Sequence, residues 1–250
     1  MFLMKKSSYL ISGSSSGLGK YLCEQLGGTS FNRTGTNVNK TDIIIHAAFN
    51  RAREVSSKNL YRYLVDNIFL TQKITQIPHK KFIYISSVDV YPKDKKKHSE
   101  DEIINIDQAS DIYALTKIMS ESLIQNLCKN FLILRCSSFL GPDAKENSLI
   151  KIIKEENPAV TLSPKSELNF VLHRDVLEFV KLGIEKDLRG IYNIVVSENI
   201  TLLKVGELLG KKVTFGTYRY SVGNIDNTKV SKLLPSFKKT SEEVINEFRK

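Results

Sequence analysis

Four short, nearly continuous apolar runs punctuate the first 140 residues: YLISG (9 to 13), TDIIIHAAF (41 to 49), KKFIYISS (80 to 87) and NFLILRCSS (130 to 138). Runs of that length without an alternating polar face suit parallel strands buried on both sides. Between them apolar residues recur at helical spacing, which predicts helices near 17 to 27, 56 to 76 and 111 to 129. Strand, helix and strand in alternation predict an α/β fold with a doubly wound parallel sheet. After Gly141-Pro142 the pattern loosens. A helix is expected near 147 to 156, then the turn-rich ENPAVTLSPKSE, then a strand feeding a helix in FVLHRDVLEFVKLGI. IYNIVV (191 to 196) reads as one more strand, and the tail from about 200 ends in the amphipathic TSEEVINEFRK. Repeats and low-complexity linkers are not visible, so a smaller part woven from separate segments is expected.

At 250 residues and 41% apolar content the chain can hold one well-cored domain with a small appendage. Its longest apolar runs, such as FLIL (131 to 134) and DIII (42 to 45), are strand-sized, so no membrane-spanning helix is expected. The first residues place their lysines after an apolar start, the reverse of a secretory leader, and a cytoplasmic location follows. Cys23, Cys128 and Cys136 have no metal-like spacing and read as buried, reduced thiols, without a disulfide framework or metal site. The net charge of +10 is compatible with anionic partners, and Lys93, Lys95, Lys96, Lys97 and His98 concentrate charge in what reads as a solvated loop. With no aromatic interleaving and no recognisable binding module, nucleic acid is not expected as a partner.

The first strand runs into Gly13, Ser14, Ser15, Ser16, Gly17, Leu18 and Gly19, and KYLCEQL then continues as a helix. Such a glycine turn lets backbone approach a pyrophosphate, whose charge the unpaired amides and helix dipole stabilise. The alternative is a flexible Ser/Gly turn. The spacing GxxxGxG differs from the commonest dinucleotide fingerprint, GxGxxG. Where a carboxylate would hold an adenosine ribose, the chain reads Ser30, Phe31, Asn32, Arg33, Thr34. An arginine there can pair with a 2′-phosphate, so NADP(H) is expected ahead of NAD(H), unless Arg33 is only a surface residue.

These residues, in order with HAA (46 to 48), Asn67 in DNIFLT, ISSVDVY (85 to 91), Tyr113xxxLys117, LRCSSFLGP (134 to 142), FVLHRDV (170 to 176) and IYNI (191 to 194), make a specific set. The set resembles the extended short-chain dehydrogenases/reductases, among them the NAD-dependent epimerase/dehydratase family, which acts on nucleotide sugars. The resemblance implies a Rossmann domain over 1–140, completed by about 168–196, and a small C-terminal substrate-binding part from 141–167 and 197–250. It also implies Ser87, Tyr113 and Lys117 as catalytic residues. Gly13, Ser15, Ser16, Gly17, Leu18, Asn32, Arg33, Thr34, Ala47, Ala48, Asn67 and Ser86 would hold the cofactor with Tyr113 and Lys117. Asp89 and Ser138 would meet the substrate, unless Asp89 is a solvent-facing turn residue; the basic balance adds Arg219 and Lys229 as candidates for a substrate pyrophosphate, with ordinary surface charge the favoured alternative for both.

In the family's mechanism a tyrosine exchanges a proton with a substrate oxygen while hydride moves to or from the nicotinamide. A phenol with an ordinary pKa of about 10 is a poor base at neutral pH, and Lys117 on the same helical face could supply the charge that favours phenolate. The sequence departs from the family in its glycine spacing, in the short stretch 34 to 41 where a helix and strand are customary, and at Ser138, where many relatives have asparagine. Val88-Asp89 replaces the acidic pair that dehydratases use, which makes 4,6-dehydration unexpected. Three readings stay open: a ketoreductase with dissociable NADPH acting on a keto group, commonly C4; an epimerase that keeps NAD; and a non-catalytic dinucleotide sensor. Asp175 is expected to fix backbone. A homodimer through the helix bearing Ile112, Leu115, Ile118, Met119 and Leu123 is compatible, though these residues could equally be core.

Overall fold

The structure is a computed structural model that describes residues 7–33, 40–52 and 54–250. Six strands, β1 (Tyr9–Ser12), β2 (Thr29–Ser30), β3 (Ile43–His46), β4 (Lys81–Ser87), β5 (Phe131–Cys136) and β6 (Gly190–Ile194), form one parallel sheet. Their order is β6-β5-β4-β3-β1-β2. This is the doubly wound Rossmann arrangement, lacking among the described residues the strand that would lie outside β2. The short connection from β2 to β3 accounts for that contraction, since a crossover to a parallel strand needs a dozen or more residues.

Every position of β3 and β4 is buried because helices cover both faces of the sheet. Side chains alternate between the two faces. Ile11, Ile45, Ile83 and Leu132 pack with Leu18 and Leu22 of α1 (Gly17–Leu26) and with Val176 and Val180 of a helix at His173–Glu185. Leu10, Ile44, Phe82, Tyr84 and Ile133 point the other way, against Leu70 and Ile74 of α2 (60–75) and Ile124 and Cys128 at the end of α3 (Ile112–Leu127). The middle of α2, Val65–Phe69, is a π-helical turn.

The remaining strands are short pairs attached to this body. Ser138–Leu140 lies beside Phe170–Leu172, Ala159–Leu162 beside Thr214–Tyr218, Glu167–Leu168 beside Ile200–Thr201 and Lys97–His98 beside Asn224–Ile225. The core is continuous with the main sheet through Leu149, Ile152, Val160, Val205 and Ile245. The final helix, Ser241–Phe248, begins in a capping box between Thr240 and Glu243.

The lysines of the basic stretch, Lys93, Lys95, Lys96 and Lys97, are exposed as in a solvated loop, whereas His98 is not. Lys93 pairs with Asp89 at 2.6 Å and Lys97 with Asp226 at 2.7 Å. His98 is fully buried, stacked on Tyr91 and placed between Asp94 and Glu102. Cys128 and Cys136 are buried and Cys23 partly so; all three are free thiols. Among the described residues no helix is long and apolar enough to cross a membrane, and no cluster of side chains could hold a metal.

Under the carboxyl ends of β4 and β5 lies a closed polar network. Arg135 on β5 donates to Glu121 of α3 at 2.8 Å, both side chains being almost wholly buried. Ser86 donates to the same carboxylate at 2.5 Å. Arg135 also donates to the Tyr91 hydroxyl at 2.9 Å, and Tyr91 donates on to Asn193 of β6 at 2.8 Å. Removing one member of a buried pair strands the other's charge, whereas an apolar replacement of both does not. Arg135→Met is therefore expected to lower unfolding free energy by about 3–5 kcal/mol in urea titrations, and Arg135→Met/Glu121→Leu to recover most of that loss. Equal losses in the single and double variants would contradict this account.

Candidate active site

The carboxyl ends of β1, β3, β4 and β5 open into one cleft of about 780 Å³, the position where doubly wound sheets take ligands. Its floor is the glycine loop. At Gly13 a Cβ would meet the Ala48 amide nitrogen at 2.6 Å, and at Gly19 it would meet the Gly13 carbonyl oxygen at 2.3 Å. Only glycine permits this contact between the loop, α1 and the Ala47-Ala48 segment. Gly17 has a positive φ of 57°, and a Cβ there would meet the Asp143 carbonyl oxygen at an ordinary 3.7 Å, so it is the backbone conformation that calls for glycine where the chain lines the cleft at the start of α1. That fits a diphosphate cradle, with Ser14, Ser15, Ser16 and Leu18 lining the same wall. The Gly17 amide donates to the Asp143 carbonyl at 2.9 Å, and Lys20 pairs with the Asp143 carboxylate at 2.6 Å. These bonds tie the loop after Gly141-Pro142 to the start of α1.

Behind the cradle, hydrogen bonds fix one histidine tautomer. The Thr71 hydroxyl donates to the Asn67 carbonyl at 2.6 Å, so it accepts from His46 Nε2 at 2.9 Å. His46 Nδ1 then accepts from Ser12 Oγ at 2.6 Å, and Ser12 Oγ accepts from the Ala48 amide. Burial first, then the charges of Lys117 and Arg33, lower the His46 pKa to about 3, so the ring is neutral. Asn67 does not line the cleft. Its side chain accepts from the Asn50 amide at 2.7 Å and donates to the Asn50 carbonyl at 3.2 Å, holding the loop that does line it.

At the β2 end, Asn32 and Arg33 line the cleft as the sequence implied; Thr34 lies outside the described residues. A carboxylate is nevertheless present there. Asp66, from the π-helical turn of α2, pairs with Arg33 and accepts from Asn50 Nδ2 at 2.9 Å and from Arg62 Nε at 3.2 Å. Burial opposes its charge, but the bonds from Arg33, Asn50 and Arg62 outweigh that cost and hold its pKa below the ordinary value. The sequence gives no sign of this contact, which joins residues 33 apart.

At the other end, Ser86, Ser87, Tyr113 and Lys117 share the cleft wall with Ala47, Ala48 and Phe49. The Asp111 side chain caps α3 by accepting from the Ala114 amide at 2.8 Å, which puts Tyr113 in the first turn and Lys117 one turn deeper. Lys117 is buried, donates to the Ile85 carbonyl at 2.8 Å, and lies 4.1 Å from the Phe49 ring centre and 4.8 Å from that of Tyr84. Burial brings its pKa down to about 7. Burial, then the Asp89 charge, push the Tyr113 phenol well above its usual value, while Ser87 hydrogen bonding and the Arg51 charge oppose them. Lys117 Nζ stands 6.0 Å from the centre of the Tyr113 ring and is itself desolvated.

Asp89 is engaged on three sides. It accepts from Lys93 at 2.6 Å, from the Tyr220 hydroxyl at 2.9 Å and from Ser87 Oγ at 3.3 Å. Val88 beside it is buried. Ser138 lines the cleft with Phe139, Lys145 and Asn147. Arg219 is exposed and outside the lining; its neighbour Tyr220 reaches in instead. Lys229 also lies elsewhere, donating to the Ile191 carbonyl at 2.7 Å. Arg174 pairs with Glu247, and Asp175 is buried away from the cleft. His173, which the sequence reading passed over, is a buried wall residue under Gly141, and burial lowers its pKa to about 4.

A parallel Rossmann sheet, a glycine loop closed on α1 and a Ser, Tyr and Lys set on one cleft give the chain the fold and cleft of the α/β nucleotide-cofactor class. The chain belongs to the NAD dependent epimerase/dehydratase family, whose model matches residues 24–194. A curated relative, the dTDP-D-glucose 4,6-dehydratase of Dictyostelium discoideum, is 24% identical over 191 residues. The match covers 67% of this chain and 44% of that protein, so the chain spans less than half the relative's length. Among solved structures, the dTDP-4-dehydrorhamnose reductase of Bacillus anthracis in complex with NADP has a TM-score of 0.79 at 18% identity, over 98% of this chain and 99% of that one. The UDP-glucuronic acid 4-epimerase of Bacillus cereus with UDP-glucuronic acid and NAD scores 0.76 at 19% identity, over 96% and 99%. MoeE5 with UDP-glucuronic acid and NAD scores 0.81 at 17% identity, over 97% and 98%. At these identities the solved structures establish the fold.

The depressed Lys117 pKa gives a pH signature. Between pH 7 and about 10.4 the unfolded chain holds a proton on this lysine that the folded chain does not, so its burial penalty grows as pH falls through that window and is complete at pH 7. Lys117→Met is expected to melt higher than the parent by about 3 °C or more at pH 7, with the gain shrinking toward pH 10 in calorimetry. A gain independent of pH would refute the assignment.

Proposed function

We propose that this protein reduces a keto group, at C4, of a nucleotide-linked sugar with dissociable NADPH. The observation that carries the reading is that Tyr113 and Ser87 line one cleft, where burial pushes the phenol above its usual pKa, while the nearby carboxylate, Asp89, is occupied by Lys93, Tyr220 and Ser87. A protonated phenol serves reduction, where the carbonyl oxygen must gain a proton. An acid free to expel water is not presented at positions 88 and 89, which counts against dehydration.

In this reading Gly13, Ser15, Ser16, Gly17 and Leu18 hold the diphosphate, and Arg33 meets a 2′-phosphate. A reduced nicotinamide, when bound, supplies hydride to the carbonyl carbon. Ser87 orients the carbonyl oxygen, and Tyr113 gives it a proton as the C=O bond becomes an alcohol. Lys117 secures the nicotinamide ribose, and Ser138 contacts the substrate. The NADP-bound reductase among the structural neighbours supports this choice. The Asp66 carboxylate favours the second reading, an epimerase with tightly held NAD, because a carboxylate can accept from ribose hydroxyls. Exposed Phe69 on α2 and Met119 on α3 support a homodimer through these helices, while Ile112, Leu115, Ile118 and Leu123 are partly buried; a monomeric mass in solution removes that proposal.

Denaturing freshly purified protein and identifying released dinucleotide separates the two reactions. Empty protein that binds NADPH more tightly than NADH is the expected result; stoichiometric NAD favours the epimerase. With nucleotide-linked 4-ketosugars, Tyr113→Phe is expected to lose about 100-fold or more in turnover while its NADPH affinity stays within about threefold. Near-parental turnover would remove both enzyme readings.

A further inference from the structure

The β2 end of the cleft carries more charge machinery than a single arginine. Arg33, from the loop after β2, and Arg62, from α2, converge on one carboxylate. Asp66 has only 9% of its side chain exposed, whereas Arg33 and Arg62 are 44% and 72% exposed. All three line the cleft. Asn50 Nδ2 completes the hold on Asp66 at 2.9 Å. The carboxylate is therefore fixed from several directions, and each guanidinium keeps donors turned to solvent.

Two guanidiniums against one carboxylate leave a surplus positive charge at the cleft mouth. A ribose 2′-hydroxyl gains little from that charge. A phosphate there, carrying a charge of about −1.5 to −2 and three acceptor oxygens, gains from both guanidiniums. The same Asp66 carboxylate that aligns the guanidiniums without ligand repels a phosphate placed between them.

We propose that Arg62 and Asp66 act with Arg33 as a three-residue selector for the 2′-phosphate of the dinucleotide, Arg62 strengthening the preference and Asp66 tempering it. The proposal rests on the reading of the cleft as a dinucleotide site. It makes Arg62 and Asp66 specificity-determining residues at a position where the sequence points only to Arg33. Arg62 stands four residues before Asp66 on one helix, so Asp66 aligns a neighbour on its own element and a partner from another.

Dissociation constants for NADPH and NADH, measured by calorimetric titration on the full chain and on Arg62→Ala, Asp66→Asn and Arg33→Ala, test it. Arg62→Ala is expected to weaken NADPH about five- to tenfold while NADH stays within about twofold, the loss of one charge-assisted contact. Asp66→Asn is expected to move the other way, tightening NADPH about threefold or more relative to NADH. If Arg33→Ala changes the NADPH to NADH ratio and Arg62→Ala does not, Arg33 acts alone and the selector is overturned. If neither arginine variant changes the ratio, the NADPH reading of the cleft falls as well. Weaker relative NADPH binding in Asp66→Asn overturns the tempering role. Arg62, being largely exposed, keeps the test decisive even if Asp66→Asn folds poorly.

Discussion

A guanidinium inside a sheet is tolerable only with a carboxylate beside it, and the position of Arg135 makes this condition govern much of the molecule. Glu121, the carboxylate that meets it, lies on α3, one turn beyond Lys117. The same carboxylate takes the Ser86 hydroxyl, next to Ser87 at the end of β4. The bond that neutralises Arg135 thus sets the height of α3 against the sheet, and with it the approach of Tyr113 and Lys117 to Ser87. Tyr91 and Asn193 carry the constraint into β6. The wall bearing Ser87, Tyr113 and Lys117 is fixed because the charge beneath it has few alternative positions.

Along the cleft, charge is distributed unevenly. Near β2, guanidiniums are exposed and paired with a carboxylate. Near α3, the lysine is buried under aromatic rings and its charge is costly. Asp89 and Tyr220 close the far side, joining the turn after β4 to the C-terminal segment.

Local pattern announced a large share of this arrangement. The runs around Ile44, Ile83 and Ile133 could be read as strands because burial on both faces leaves little room for polar residues. The Asp111 cap, Tyr113 and Lys117 lie close together in sequence, so their common helix face was legible too. Asp66, Tyr220 and His173 were not, because each acquires its place through packing between distant segments. Asn67 shows the reverse case: a family motif residue was recognised, but its amide bonds to Asn50 backbone beside the cleft. Arg219 was placed one residue from the side chain that enters. In 93–98 the lysines are exposed as composition suggested, but it does not show that His98 is buried between Asp94 and Glu102.

The single tautomer of His46 has a consequence for how acid acts on the protein. With a folded pKa of about 3, the ring stays neutral in the native state as pH falls, while the unfolded chain binds a proton near 6.5. Acid therefore withdraws stability between those values without reversing the hydrogen bonds from Ser12 to Thr71. The joint between sheet and α2 behaves as a rivet that holds one form until the fold gives way.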